Sequence, residues 1–277
     1  MGIPSAMSWI ESTTTVFCDF GNSSLKLCWN RRVHSFPYTH DPEWTRHASE
    51  LLRPLSTPVL FIATVVPQRT AEFLSELRRR EENCLICWMT DLLPPTNPAI
   101  PYEGVRGIGI DRILGLLGAR RFFLPPLITV DCGTAVTINL LSAEGKCLGG
   151  AIFAGAALQL QALATHTALL PSVKAPSTSV VCIGSTTEEA LLSGTFASVL
   201  GGIQLLISTF AHSLGAVPAV ILTGGGSQPF AATLQQWWHG QFAHRPYLVL
   251  EGMQYAVEQL PPEQIRPYVQ PLDALPL

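Results

Sequence analysis

The chain has 277 residues, enough for one large or two medium domains with substantial cores. Apolar residues make up 47% and charged residues only 13%, which excludes an intrinsically disordered chain. A net charge of −3 and a pI near 6.2 give no electrostatic reason to expect nucleic acid as a partner.

The first seventeen residues lack the basic and apolar regions of a secretory leader. Ala6 stands where a myristoylation signal needs Ser or Thr. With seven cysteines, an odd number, the expectation is reduced thiols in a cytoplasm. The first element is the apolar strand of "VFCDFGNSS" (16–24), which ends on Asp19 and runs at once into Gly-Asn-Ser-Ser. Asp-Phe-Gly is also the magnesium motif of protein kinases. That reading fails, because only eighteen residues precede Asp19 and no Gly-rich loop, Val-Ala-Ile-Lys strand or His-Arg-Asp loop is present. "LKLCW" continues as β-type sequence. "TPVLFIATVVP" (57–67) reads as a buried strand, 68–83 as an amphipathic helix and 84–90 as a further strand. In that helix Arg78, Arg79 and Arg80 stand among Glu76, Glu81 and Glu82, the pattern of a solvated face. Cys84 and Cys87 form a C-x-x-C in a buried strand, with neither a second pair nor nearby histidines to make a zinc site.

A proline-rich loop, "LLPPTNPAIPYEG", leads to "GIGIDRILGLLGARRFF", a loop opening a helix. At 128–137 "ITVDCGTAVT" then repeats the first pattern, 112 residues on: apolar strand, Asp, any residue, Gly, small polar residue. "GKCLGGAIFAGAALQLQALATHTALLP" reads as strand, glycine turn, long helix and proline stop, with His166 as a packed helix residue. "GSTTEEALLSG" (184–194) has a capping-box pattern, Ser185 three residues before Glu188. No Asp, Glu, Lys or Arg occurs from Ala190 to His244. Ser198, Gln204, Ser208 and His212 interrupt the apolar helix there, and no positive flank anchors it. It therefore reads as a helix buried on most faces, in a core or a subunit interface, and no membrane contact is expected. "AVPAVILTGGGS" (216–227) is a strand and a glycine turn, and Trp237 and Trp238 read as core or interface surface. The whole predicts an α/β protein of two similar domains, 15–122 and 123–277, with a cleft between them.

A turn of small residues after a strand lets backbone N–H groups approach phosphate oxygens, and an aspartate at the strand end can hold a hydrated magnesium ion facing them. The third glycine turn, "LTGGGS", could pass the flat face of a base or ribose. Neither a Walker A motif nor a complete G-x-G-x-x-G is present.

The Asp-x-Gly-Asn and Asp-x-Gly-Thr pair is similar to the phosphate motifs of the acetate and sugar kinase, heat-shock chaperone and actin superfamily. Within it, "GIDR" (109–112), "GG" (149–150) and "GSTTEEALLSG" resemble type III pantothenate kinase. The resemblance implies two ribonuclease H-like (actin-like ATPase) domains and phosphorylation of pantothenate, the first step towards coenzyme A. It implies an ATP site formed by Asp19, Phe20, Gly21, Asn22, Ser23, Ser24, Leu25 and Lys26, with Thr134 from the second copy. Asp131 would hold a monovalent cation (K+ or NH4+) and Asp19 a magnesium ion, through water. Tyr102, Gly109, Ile110, Asp111, Arg112 and Thr187 would contact pantothenate, with Asp111 as general base. The family's homodimer places the pantothenate pocket near the subunit interface. Three positions depart from the pattern: Ala154 replaces a proline, Gly226 a polar residue, and "YEGV" (102–105) lacks an Asn-Pro after the tyrosine. Two other functions fit the fold, a non-catalytic regulatory protein and an ATPase with conformational output. Retention of Asp19, Asp111, Asp131 and Thr134 argues against the first. The Gly-x-Asp-Arg before a helix is not needed by the second.

Overall fold

A computed structural model describes residues 14–179 and 182–275. The chain divides into two compact units. Of the described residues, the first gathers 14–97, Gly109–Leu114 and 249–275, and the second holds those of Pro98–Ile108 and Gly115–Leu248.

Among the described residues the first unit builds a six-stranded sheet in the order β11-β5-β4-β1-β2-β3. Its strands are β1 (Thr15–Phe20), β2 (Ser24–Trp29), β3 (Arg32–Pro37), β4 (Val59–Thr64), β5 (Leu85–Trp88) and β11 (Gln270–Pro271). The first three strands form an antiparallel meander, and β1, β4 and β5 run parallel. Alternation along β1 sends Val16, Cys18 and Phe20 into a core with Trp44, Leu52, Phe73 and Leu77 from the covering helices α1 (Trp44–Leu52) and α2 (Pro67–Arg79). Asp19 therefore shares the opposite face with Phe17, which stacks on Phe61 at 5.6 Å. After β5 the chain enters a short helix α3 (Met89–Leu92), where a continuing strand was expected. Cys84 and Cys87 are buried, and burial pushes both thiols up to about 12.

The arginine run of α2 corrects the solvated-face expectation at one position. Arg79 pairs with Glu76 at 2.7 Å, and Arg80 lies 3.5 Å from Glu76 and from Glu50. Arg78 turns away from them, and its guanidinium donates to the carbonyls of Leu272 (2.7 Å) and Leu275. These contacts, the β11–β5 pairing and the buried Leu272 and Leu275 tie the C-terminal segment into the first unit. The division is thus discontinuous, whereas contiguous halves meeting at residue 122 were expected.

The second unit repeats the plan with a five-stranded sheet, order β10-β9-β6-β7-β8. Strands β6 (Leu127–Cys132), β7 (Ala135–Leu141) and β8 (Cys147–Ala154) form the meander. Strands β9 (Ala219–Thr223) and β10 (Phe242–His244) continue it in parallel. The sequence echo is therefore an echo of topology: β1 and β6 are equivalent central strands, each ending beside its aspartate. Helix α4 (Ile110–Ala119) begins in the first unit and ends in the second, while α5 (Ala156–His166) belongs to the second. His166, expected to be packed, is exposed, because it is the last residue of α5 and only Leu160 of that helix is buried.

Helix α6 (Thr187–Leu214) is 28 residues long. Its capping box falls one residue later than expected, between Thr186 and Glu189, whose carboxylate also accepts from the Ser185 N–H at 2.8 Å. Buried positions Thr195, Phe196, Val199, Ile203 and Ile207 form one stripe packed on the second core. Within one chain burial is confined to that stripe, since a helix laid on a sheet hides only the face that touches it, and Leu205 is 67% exposed. Among the described residues this is the one helix long and apolar enough to cross a membrane, with mean hydropathy 1.8. Its stripe against the sheet is that of a covering helix. Helix α7 (Gln228–Trp237) packs beside it, with Trp237 and Trp238 partly buried against the same core, and α8 (Leu248–Gln259) leads the chain back to the first unit.

Candidate active site

In the first unit the β1–β2 turn presents the Asp-x-Gly-Asn motif. Gly21 N–H donates to the Ser24 carbonyl at 3.2 Å, and Tyr38 N–H to the Ser23 carbonyl at 3.0 Å, so the turn is fixed from inside and from β3. Asn22 and Ser23 are exposed, and Gly21 and Ser24 half-buried. Phe20 and Leu25 are fully buried in the core, so their side chains are closed to a ligand and only their backbone borders the turn. Register places Lys26 opposite Asp19, with Nζ 3.2 Å from Oδ2. The Asp19 carboxylate is held by this ion pair in a nearly buried position.

Asp111 lies in the same unit, in the first turn of α4. The Arg112 N–H donates to its Oδ1 at 2.8 Å, while the Gly109 carbonyl accepts from Arg112 N–H at 3.1 Å. A Cβ on Gly109 would overlap Asp111 Oδ1, so glycine there is a steric condition for the aspartate's orientation. Burial raises the Asp111 pKa above the usual carboxylate value. The Arg112 N–H opposes this, and the Asp19 charge adds to it. The sequence pattern Gly109-Ile110-Asp111-Arg112 is thus one local device. Ile110 is buried as an anchor, Arg112 supplies backbone, and Asp111 stays half-buried.

In the second unit three separated glycine segments converge on the end of β6. Gly133 N–H donates to the Ala135 carbonyl at 3.0 Å, Gly155 N–H to the Thr134 carbonyl at 2.9 Å, and Gly226 N–H to the Cys132 carbonyl at 2.8 Å. A Cβ on Gly155 would overlap the Gly133 carbonyl, and one on Gly224 (φ +94°) would overlap Asp131 Oδ1. Beside them opens a cavity of about 340 Å³ lined by Cys132, Gly133, Gly155, Ala156, Gly226 and Phe230 among others. Asp131 and Thr134 are half-buried at this end of the strand. A second cavity, about 380 Å³, lies between α5 and α6, and exposed Thr187 is part of its wall with Gln159 and Ser198. Tyr102 is half-buried, its pKa raised by burial, and the neighbouring Pro101 carbonyl accepts from Cys147 N–H at 2.9 Å. The Gly149–Gly150 pair has a structural cause. Gly149 has φ +89°, and a Cβ on Gly150 would overlap the Ile138 carbonyl of β7.

The site residues therefore fall into a first-unit group (19–26, 109–112) and a second-unit group (102, 131, 134, 187). Sequence reasoning missed Tyr38, Gln159, Ser198, Ser227 and His244. Tyr38, Gln159, Ser198 and His244 lie on elements apart from the motifs, and Ser227 closes the third glycine turn, where only the glycines drew notice.

The fold is that of actin-like ATPases and sugar kinases. A Baf-family protein from Campylobacter jejuni superposes with a TM-score of 0.56 at 21% identity, over 88% of this chain and 98% of that one. A 2-dehydro-3-deoxygalactonokinase-type protein from Sinorhizobium meliloti does so with a TM-score of 0.50 at 13% identity, over 88% and 98%. The model of the family "Type III pantothenate kinase" matches residues 15–209. The type III pantothenate kinase of Frankia alni is 30% identical over 254 residues, 90% of this chain and 97% of that one. That of Halorhodospira halophila is 38% identical over 152 residues, a match spanning 55% of this chain and 58% of the relative's length. The chain belongs to the type III pantothenate kinase family.

Proposed function

We propose that the chain transfers the γ-phosphoryl group of ATP to the primary hydroxyl of pantothenate, the entry step of coenzyme A biosynthesis. The observation that carries this reading is Asp111: a half-buried carboxylate oriented by Gly109 and Arg112, with its pKa raised above the usual carboxylate value. The hydroxyl oxygen forms a bond to the γ-phosphorus while the bond from that phosphorus to the β-phosphate oxygen breaks, and ADP leaves. The hydroxyl proton goes to Asp111. Such a transfer has a loose transition state, so orientation and charge neutralisation supply most of the rate. A carboxylate accepts the proton late, and a raised pKa makes it the better acceptor.

Of the other groups, the Gly21–Ser24 backbone, Asn22, Ser23 and Lys26 would face the phosphates, as would Thr134. A carboxylate at a strand end is the donor type a hydrated Mg2+ needs, and Asp19 would supply it. Asp131, with no room for a side chain at Gly224, would hold a monovalent cation. These ions would neutralise phosphate charge. Tyr102, Arg112 and Thr187 would orient pantothenate, and Arg112 is suited to its carboxylate. The reading includes a cytoplasmic homodimer. Coupled measurement of ADP release tests it: release that depends on pantothenate supports the kinase, whereas no release, or release indifferent to pantothenate, rejects it.

A further inference from the structure

The turn Thr223–Ser227 is held from behind by two side chains with no role assigned so far. Ser227 is 1% exposed, and its Oγ lies 2.5 Å from the Gly224 carbonyl and 2.7 Å from His244 Nε2. A hydroxyl carries one proton. Two oxygens this close require that proton between them, so Ser227 donates to Gly224 and His244 Nε2–H donates to Ser227. Burial lowers the His244 pKa, so the neutral ring with its proton on Nε2 meets this need. His244 closes β10 in register with Leu222 of β9, so a strand of the sheet carries the ring.

The other side of the same turn meets the candidate site. Gly225 and Gly226 line the 340 Å³ cavity, Gly226 N–H bonds the Cys132 carbonyl at 2.8 Å, and the Gly224 backbone is packed against Asp131 Oδ1. We infer that Ser227 and His244 are positioning residues for the nucleotide, because the chain His244–Ser227–Gly224 fixes both the cavity wall and the backbone against Asp131. The inference rests on the reading of that cavity as the nucleotide site. Without the Ser227 hydroxyl the Gly224 carbonyl keeps only the Ser227 N–H at 3.2 Å; without the His244 N–H the hydroxyl that reaches this carbonyl loses its own anchor, and either way the wall loosens. The proton-accepting group, Asp111, lies in the other unit and keeps its own contacts.

The test compares the full chain with Ser227→Ala, His244→Phe and His244→Gln. It measures ATP affinity by calorimetry, KM for ATP and kcat at saturating pantothenate, and melting temperature. Loss of one such hydrogen bond should weaken ATP binding and raise its KM about five- to tenfold, with kcat held within about twofold. The glutamine amide can replace the Nε2–H donor, so His244→Gln should return both values to within about twofold of the unmodified chain. A general loss of packing would not separate Phe from Gln in this way. Equal ATP affinity in His244→Phe and the unmodified chain overturns the inference, as does an equal loss in His244→Phe and His244→Gln. Should Ser227→Ala fail to fold, the half-buried His244 pair decides. If the unmodified chain binds no ATP, the cavity reading falls and takes the inference with it.

Discussion

A carboxylate that must take a proton from an alcohol gains from burial, and it loses stability for the same reason. Asp111→Asn keeps shape and the Oδ1 acceptor for the Arg112 N–H but cannot accept the proton. We expect kcat to fall by roughly 10² to 10⁴ with a much smaller change in KM for pantothenate, measured in the ADP-release assay. Turnover within about threefold of the unmodified enzyme would remove Asp111 as the base. Stability should move the other way. The folded-state pKa of Asp111 is raised, so the folded chain binds the extra proton more readily than the unfolded chain. Ionised Asp111 therefore destabilises the fold. That cost is absent below the ordinary aspartate pKa and complete above the raised one. The melting temperature of Asp111→Asn should thus match or exceed that of the unmodified chain at pH 7, and the difference should close on acidification below about pH 4. A lower melting temperature at pH 7 would contradict this balance. Asp131 offers a separate check. Activity should need potassium or ammonium, and Asp131→Asn should weaken that dependence; full activity of the unmodified chain in sodium alone would count against the role.

Elements were legible where period and punctuation coincided. The strands ending at Asp19 and Asp131, helix α2 and the Thr-Gly-Gly turn all follow from alternation, helical spacing and glycine. Two features escaped because they depend on tertiary partners. Arg78 carries the same charge pattern as Arg79 and Arg80, but it alone finds backbone carbonyls nearly 200 residues away. The capping box slipped by one residue because Ser185 and Thr186 are both good caps with an acid three residues on, and their difference lies in loop geometry. For the site, motifs marked what a local turn requires, such as glycine at 109. They were silent on His244, which supports the turn from another strand, and on the hydroxyl of Ser227 that holds the turn from within. Arg78→Ala should loosen the C-terminal latch, seen as faster hydrogen exchange at 270–275 with the α6 amides unaffected; unchanged exchange there would show the latch to be held by burial of Leu272 and Leu275 alone. Thr186→Ala removes the side-chain half of the cap and should cost about 1 kcal/mol in denaturant unfolding.

At the scale of the molecule, the second unit carries apolar surface beyond what scattered side chains explain. Leu205 on α6 and Leu148 and Ile152 on β8 stand out from one chain at 67%, 49% and 59% exposure. Such surface in a region without Asp, Glu, Lys or Arg is what a symmetric partner covers. We expect a homodimer by light scattering at micromolar concentration, and a shift to monomer in Leu205→Glu combined with Ile152→Glu. A monomeric unmodified chain would reject the assembly.

The return of the C-terminal segment to the first unit sets an order of assembly at the ribosome. The whole of the second unit, through Leu248, leaves the exit tunnel while the first still lacks α8 and its edge strand β11. Until residue 275 emerges, the outer edge of β5 has no partner strand and Arg78 no carbonyls to bind. A chain interrupted near residue 248 would then release a completed second unit joined to an unfinished first one. The translation defect of such a chain would appear as loss of the Asp19 and Asp111 group, the part of the protein made earliest.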